Sequence, residues 1–263
     1  MVASDGILAA EWIKGRTIPE SWAFSAGALV LGVGWATAPA LLNRTRFAEQ
    51  IAAAGADADL GPLFWLGVTR LTIVVALVLG AVLLTGERES GTAVVTRTVA
   101  PHPVGVYAAK VAVATAWGFA IGLVSGLGVP LGVRLALGPV AAPITTAPAV
   151  FAGYGLRVAV ITALCAALGV AIAALTRSLL VSAVIGFVWV WFENQIASLF
   201  GEFANLGVLT PWRNLSYFID TTGYDLPYLW SYHWGFAPLA VLTVVLLVAG
   251  AWRHRDDTNT IKE

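Results

Sequence analysis

Arg70, Arg157 and Glu193 are the residues whose surroundings alone make them chemically notable. Each stands inside a long apolar run: "LFWLGVTRLTIVVALVLG", "FAGYGLRVAVITALCAALG" and "VIGFVWVWFENQIASLF". On insertion scales a charge in such a medium costs on the order of 2–3 kcal/mol, so partners are expected. The simplest arrangement is an ion pair between Glu193 and one arginine. The alternative is that the remaining arginine faces a cavity and meets an anionic or polar ligand group.

Other chemistries lack their residues. No GxxxxGK[ST] loop is present, so this chain is not expected to bind ATP itself, and no HExxH helix offers a zinc site. His102, His233 and His254 lie outside the apolar runs, which argues against a buried Ser–His dyad. Cys165 is the single cysteine and sits in an apolar run, where core packing is its expected role. The chain is therefore expected to be no enzyme and to carry no cofactor.

The second charged feature is compact. "GERESGTAVVTRTVAPHPVGVYAAK", Gly86 to Lys110, separates two apolar runs. Glu87, Arg88 and Glu89 stand at the mouth of the first run, followed by Gly91 and Thr92. Val94, Val95 and Val99 then fall at helical spacing. Pro101 and Pro103 stop that helix and reset the chain. Lys110 lies just inside the next run, where its stem can snorkel to the surface. The pattern describes a short helix over 86–103 lying flat against a membrane.

Composition demands that membrane. The chain is 59% hydrophobic and 11% charged, with mean hydropathy +0.82, whereas soluble domains run near 25% charged. Its net charge of zero gives no footprint for nucleic acid. The expected fold is an all-α polytopic membrane protein forming one domain over 1–263, since open strand edges in lipid would leave backbone groups unpaired. Six transmembrane helices are predicted, at about 23–42, 63–85, 104–131, 149–175, 179–200 and 236–252. An N-terminal interfacial helix (1–21) precedes them, and no cleavable signal peptide is expected. A tail (253–263) follows.

At 1.5 Å per residue, Arg70, Arg157 and Glu193 lie roughly 10–12 Å below one membrane surface. An even number of spans puts both termini on one side. That side holds Lys14, Arg16, Arg88, Arg97, Lys110, Arg177, Arg253, Arg255 and Lys262; the other holds Arg44, Arg46, Arg134 and Arg213. The excess predicts cytoplasmic termini. The segment 201–234, aromatic and broken by Pro211 and Pro227, is expected to form outer interfacial or re-entrant helices. Gly118, Gly122 and Gly126, and Ala28, Gly32, Ala36 and Ala40, form small-residue stripes that let helices approach closely. Packing within the chain is the expected use, with a dimer seam as the alternative.

The insert resembles the segment after the second span of ABC-2 type transporter permeases, which reads E-x-x-x-G-T, a short helix, a proline and a lysine. Glu87, Gly91, Thr92, Pro103 and Lys110 match it. The start "LAAEWIKGRT", Leu8–Thr17, is similar to the family's EW-x-K-x-R-T opening, and the ordered spans extend the resemblance over essentially the whole chain. The resemblance implies the permease subunit of an ABC exporter in a bacterial plasma membrane. Two ABC ATPase subunits would bind ATP and magnesium, and a second permease chain, expected to be identical, would complete the unit within the membrane lipid. The insert would be the coupling helix, with Glu87, Arg88, Gly91, Thr92, Val95, Arg97 and Val99 as its contacts. The Thr176–Ser178 turn, through Arg177, would add a secondary contact. Gly91 would allow close backbone approach. Cargo would be amphipathic or hydrophobic: a drug, a peptide antibiotic or a lipid. The alternatives are an ion-coupled secondary transporter, for which only Glu193 offers a midspan carboxylate, and a non-transporting scaffold or sensor.

Overall fold

The computed structural model describes residues 2–17, 19–54, 61–92, 96, 102–141, 148–199, 210–219 and 231–259. Among them every regular element is helical. The helices are α1 (Val2–Thr17), α2 (Pro19–Leu42), α3 (Arg44–Ala54), α4 (Gly61–Glu89), α5 (Pro103–Leu137), α6 (Pro148–Thr176), α7 (Leu179–Leu199), α8 (Pro211–Ile219) and α9 (Ala237–Asn259). Short 3₁₀ turns follow α5 and precede α9. Four helices, α2, α5, α6 and α8, open on proline, whose missing N–H costs nothing in a first turn.

Five helices among the described residues are long and apolar enough to cross a membrane, as expected of a multi-pass membrane protein. They are α2, α4, α5, α6 and α9; the apolar stretch Leu179–Glu193 of α7 is shorter. Many large apolar side chains on the long helices face outward, including Val30, Leu131, Leu180 and Val241. A soluble monomer rarely exposes so much contiguous apolar surface.

α6 is the central element. From Val158 to Ala174 it is buried on nearly every side, and it packs against α5, α4, α9 and α7. Its uniform apolarity fits a helix surrounded by others. The Gly118, Gly122 and Gly126 stripe faces α6. A Cβ at Gly118 would lie 2.6 Å from the Thr162 carbonyl, and one at Gly126 would lie 2.8 Å from Gly155 Cα. Packing within the chain is therefore what this stripe does. A second close crossing joins α4 to α6 reciprocally: a Cβ at Gly80 would strike the Ala166 carbonyl, and one at Gly169 the Leu77 carbonyl.

The helices alternate in direction. Gly118 lies beside Ala166 and Gly126 beside Gly155, so α5 and α6 run antiparallel. The ends of α1, α4, α6 and α9 thus gather with the starts of α2, α5 and α7. His254, near the end of α9, has its ring 5.7 Å from that of Tyr107, near the start of α5. The described start and end of the chain lie at the same end of the bundle.

Five elements depart from the expected boundaries. α4 runs on to Glu89, so the first residues of the predicted short helix over 86–103 are the last turn of α4 instead, and α9 runs to Asn259, into the predicted tail. α2 begins at Pro19, inside the predicted interfacial segment, so α1 is confined to Val2–Thr17. α5 runs to Leu137, several residues beyond its predicted end, and carries Pro130 within it. α3 was not foreseen. It packs Phe47 and Ile51 against Val129, Val133 and Leu137 at the far end of the bundle, where the Arg44 guanidinium lies beside Gly138. Of the predicted outer segment, α8 and the turn Tyr232–Trp234 are seen; 201–209 and 220–230 lie outside the described residues.

Candidate functional site

The insert leaves the bundle from the last turn of α4, which contains Glu87 and Arg88. The helix ends at Ser90–Thr92, where Gly91 takes φ +71. That left-handed conformation is nearly free for glycine and costs other residues about 1 kcal/mol or more. No described atom lies within 4 Å of where a Cβ on Gly91 would sit. Within the chain, Gly91 serves the turn. Beyond it, the Thr96 amide donates to the Thr92 carbonyl at 3.0 Å, one helical step. Val95, Arg97 and Val99, and with them the body of the predicted short helix, lie outside the described residues.

Four charged side chains meet where α1, α4 and α5 converge. Glu11 and Lys14 come from α1, Glu87 from α4 and Lys110 from α5. The Lys14 ammonium donates to Glu11 Oε1 at 2.7 Å, Glu87 Oε1 at 2.7 Å and Thr96 Oγ1 at 3.2 Å. The Lys110 ammonium donates to Glu11 Oε2 at 2.8 Å and to the Leu83 carbonyl at 3.2 Å, and lies 2.9 Å from Glu87 Oε1. Each ammonium has three protons and each finds three acceptors. The charges alternate around a closed ring and sum to zero.

Burial makes this ring consequential. The side chains of Lys110 and Glu11 are 4% and 6% exposed, whereas Lys14 is 38% exposed. The expectation that Lys110 snorkels to the surface is corrected: its ammonium turns inward, because two carboxylates and a carbonyl there replace the water it would otherwise seek. Burial by itself lowers the Lys14 pKa, but the hydrogen bonds and charges of Glu11 and Glu87 outweigh it and hold that pKa above the ordinary lysine value.

The ring also fixes α1. Ile7, Glu11, Lys14 and Gly15 are its inward face, while Leu8, Trp12 and Ile13 point outward. The charged face of α1 is thus its packed face. A Cβ on Gly15 would lie 3.3 Å from Trp117 Nε1 and 3.3 Å from Val113 Cγ1. The Trp117 ring is met by Trp22 edge-on at 5.0 Å and by Trp12 at 6.2 Å. Trp22 Nε1 donates to the Arg16 carbonyl at 2.9 Å, closing the corner between α1 and α2. Sequence reasoning counted Glu11 and Lys14 only toward orientation and the opening motif. Their signal was a Glu–Lys pair at i, i+3 on an otherwise apolar segment.

Arg177 stands at the same end of the bundle, in the two-residue link between α6 and α7. It is exposed, with φ +59. Toward the opposite end, Arg157 donates to the Phe218 carbonyl at 3.2 Å, with its guanidinium 5.8 Å from the same ring. Phe218 is in the last turn of α8, so a cation meets the negative end of a helix dipole and an aromatic face together. Arg70 lies 5.9 Å from the Trp191 ring. Glu193 is two residues further along α7. All three lie well away from the ring of Glu11, Lys14, Glu87 and Lys110. No family model matches this chain, and neither a curated protein nor a solved structure matches it.

Proposed function

We propose that this chain is the transmembrane permease subunit of an ATP-driven exporter of the ABC-2 type. The observation that carries the reading is the buried ring of Glu11, Lys14, Glu87 and Lys110. It joins three helices at the point where the insert departs, and two of its members, Glu87 and Lys110, bound the segment that resembles a coupling helix. A force applied to the insert would reach α1, α4 and α5 together, because losing any one of the four charges leaves two like charges sharing a single partner in a largely buried site.

In this reading the chain crosses a bacterial plasma membrane six times with both termini in the cytoplasm, α7 supplying the fifth span. Two separate ATPase subunits, holding ATP and magnesium, dock beneath the insert and the Thr176–Ser178 turn. An identical second permease completes the pathway. ATP-driven closure of the ATPases shifts the helices between two packed arrangements, and the close glycine crossings of α6 with α4 and α5 make those shifts rigid-body movements. Cargo is amphipathic or hydrophobic.

Purification from native membranes tests this. The expected result is a P-loop ATPase retained with the chain and ATP-dependent transport after reconstitution. Transport that follows a proton or sodium gradient without an ATPase would assign the chain to ion-coupled carriers. Neither a partner nor transport would leave a scaffold or sensor.

A further inference from the structure

We infer that the outward side of α5 ends in a binding site for the phosphate of an anionic phospholipid, formed by Arg44 and Arg134 at the far end of the bundle. Leu131, Arg134, Leu135 and Gly138 fall at i, i+3, i+4 and i+7, one stripe of a helix. Leu131, Arg134 and Leu135 are exposed. Val124 and Leu127, also exposed, continue the stripe toward the middle of the bundle. In a multi-pass membrane protein, acyl chains cover such a stripe, and its last side chains meet the headgroups.

Gly138 brings a second cation onto this stripe. It closes α5, with φ +60 and its amide donating to the Arg134 carbonyl. The Arg44 guanidinium lies in front of it, Nη2 being 3.1 Å from where a Cβ on Gly138 would sit. Arg44 reaches this place because it shares one face of α3 with Phe47 and Ile51, at i, i+3 and i+7. Those two side chains pack on Val129, Val133 and Leu137 of α5. The depth is right for a phosphate. From Lys110 to Arg134, α5 is about 36 Å long at 1.5 Å per residue, and no charge interrupts the stretch. A bilayer's hydrocarbon core is about 30 Å thick, and its headgroups bring it to about 40–45 Å. With Lys110 near one surface, Arg134 lies among the headgroups of the other.

The charges at this corner select the ligand. Among the described residues, neither Arg44 nor Arg134 is paired with a carboxylate. Arg46, exposed on α3, adds a third cation. The one carboxylate of α3, Glu49, is exposed and stands across that helix from Phe47 and Ile51; α5 has none, and α2 has only Glu20, at its other end. Asp57 and Asp59 follow α3 outside the described residues. A guanidinium binds phosphate oxygens through paired N–H···O bonds. A zwitterionic headgroup sets its own ammonium against the arginines, which favours an anionic one. A free phosphate ion carries the same oxygens but has nothing to lay along Leu131 and Leu135.

The test titrates the full chain in detergent with phosphatidylglycerol or phosphatidylcholine. Bound lipid is counted by native mass spectrometry, and the thermal midpoint is followed in parallel. Wild type is compared with Arg44→Gln, Arg134→Gln, the double variant and, as a control at the opposite end, Arg16→Gln. Each single substitution is expected to weaken phosphatidylglycerol binding by about two- to five-fold, the scale of one exposed ion pair, and the double variant by more. Phosphatidylcholine binding, and all binding to Arg16→Gln, should stay at the wild-type level. Both arginines are exposed, and the midpoint without added lipid checks that each variant is folded; if the double variant is not, the single ones decide. Unchanged phosphatidylglycerol binding in the folded single variants overturns the site. An equal loss in Arg16→Gln reduces the effect to overall charge and also overturns it. Inorganic phosphate that raises the wild-type midpoint as phosphatidylglycerol does, but not that of Arg44→Gln, gives the arginines to a soluble anion and overturns the lipid assignment.

Discussion

Lys110 is the most deeply buried charge of the candidate site. Its ammonium is 4% exposed and bound to two carboxylates. Replacing it by methionine leaves two carboxylates sharing one half-exposed lysine, and removing one partner of a buried pair costs about 3–5 kcal/mol. Chemical denaturation in detergent should show that loss for Lys110→Met, and a smaller increment when Glu11→Gln is already present, because the residues share one network. Lys14 gives a pH signature. Its pKa is raised on folding, so its contribution is complete below the unfolded-state value and is lost as pH climbs through the folded one, above 10.5. Stability measured from neutral to strongly alkaline pH should fall less steeply at the top of that range in Lys14→Gln. At this scale the sequence disclosed Glu87, Gly91 and Lys110, because they bracket an insert between apolar runs. It did not disclose their partners. A Glu–Lys pair near a terminus reads as solvated until a neighbouring helix is known to cover it.

Small residues decide how closely the elements pack. Gly80 and Gly169 each approach a backbone carbonyl of the facing helix, where no flexible side-chain tip can yield. Gly80→Val or Gly169→Val should push α4 from α6 and cost about 1–3 kcal/mol or more. Gly27→Ala, with nothing within 4 Å of its added Cβ, should leave the thermal midpoint unchanged or raised. The four-residue repeat of Gly118, Gly122 and Gly126 announced its packing in the sequence. Gly80 and Gly169 are isolated within their helices and announced nothing; only the crossing reveals them. α3 escaped for a different reason. It is short and begins with Arg44 and Arg46, so no hydropathy window marks it, and its two core residues, Phe47 and Ile51, are a bare i, i+4 pair. The outward apolar face of α1 was legible only in part, because its charges serve the packed side.

At the scale of the whole molecule, the long helices were legible as apolar runs, and their alternation brings the described start and end of the chain to one end of the bundle. Single cysteines at Arg16 and Arg255, introduced with Cys165→Ala, should react with an impermeant maleimide from one side of a sealed vesicle. A cysteine at Arg44, beside Gly138 at the far end, should react only from the other. Labelling of Arg16→Cys and Arg255→Cys from opposite sides would break this topology. The proposed partners and cargo have no signature in the geometry, since docking and transport would be properties of an assembly rather than of one chain.

The central claim is that energy from a separate ATPase enters through the segment that begins at Glu87. Its most direct test is substrate-stimulated ATP hydrolysis by the purified complex, comparing wild type with Glu87→Gln, Gly91→Trp and, as a distant control, Arg44→Ala. The account predicts that stimulation is lost in the first two variants while basal hydrolysis persists, and that Arg44→Ala behaves as wild type. Stimulation that survives intact in folded Glu87→Gln and Gly91→Trp would contradict it.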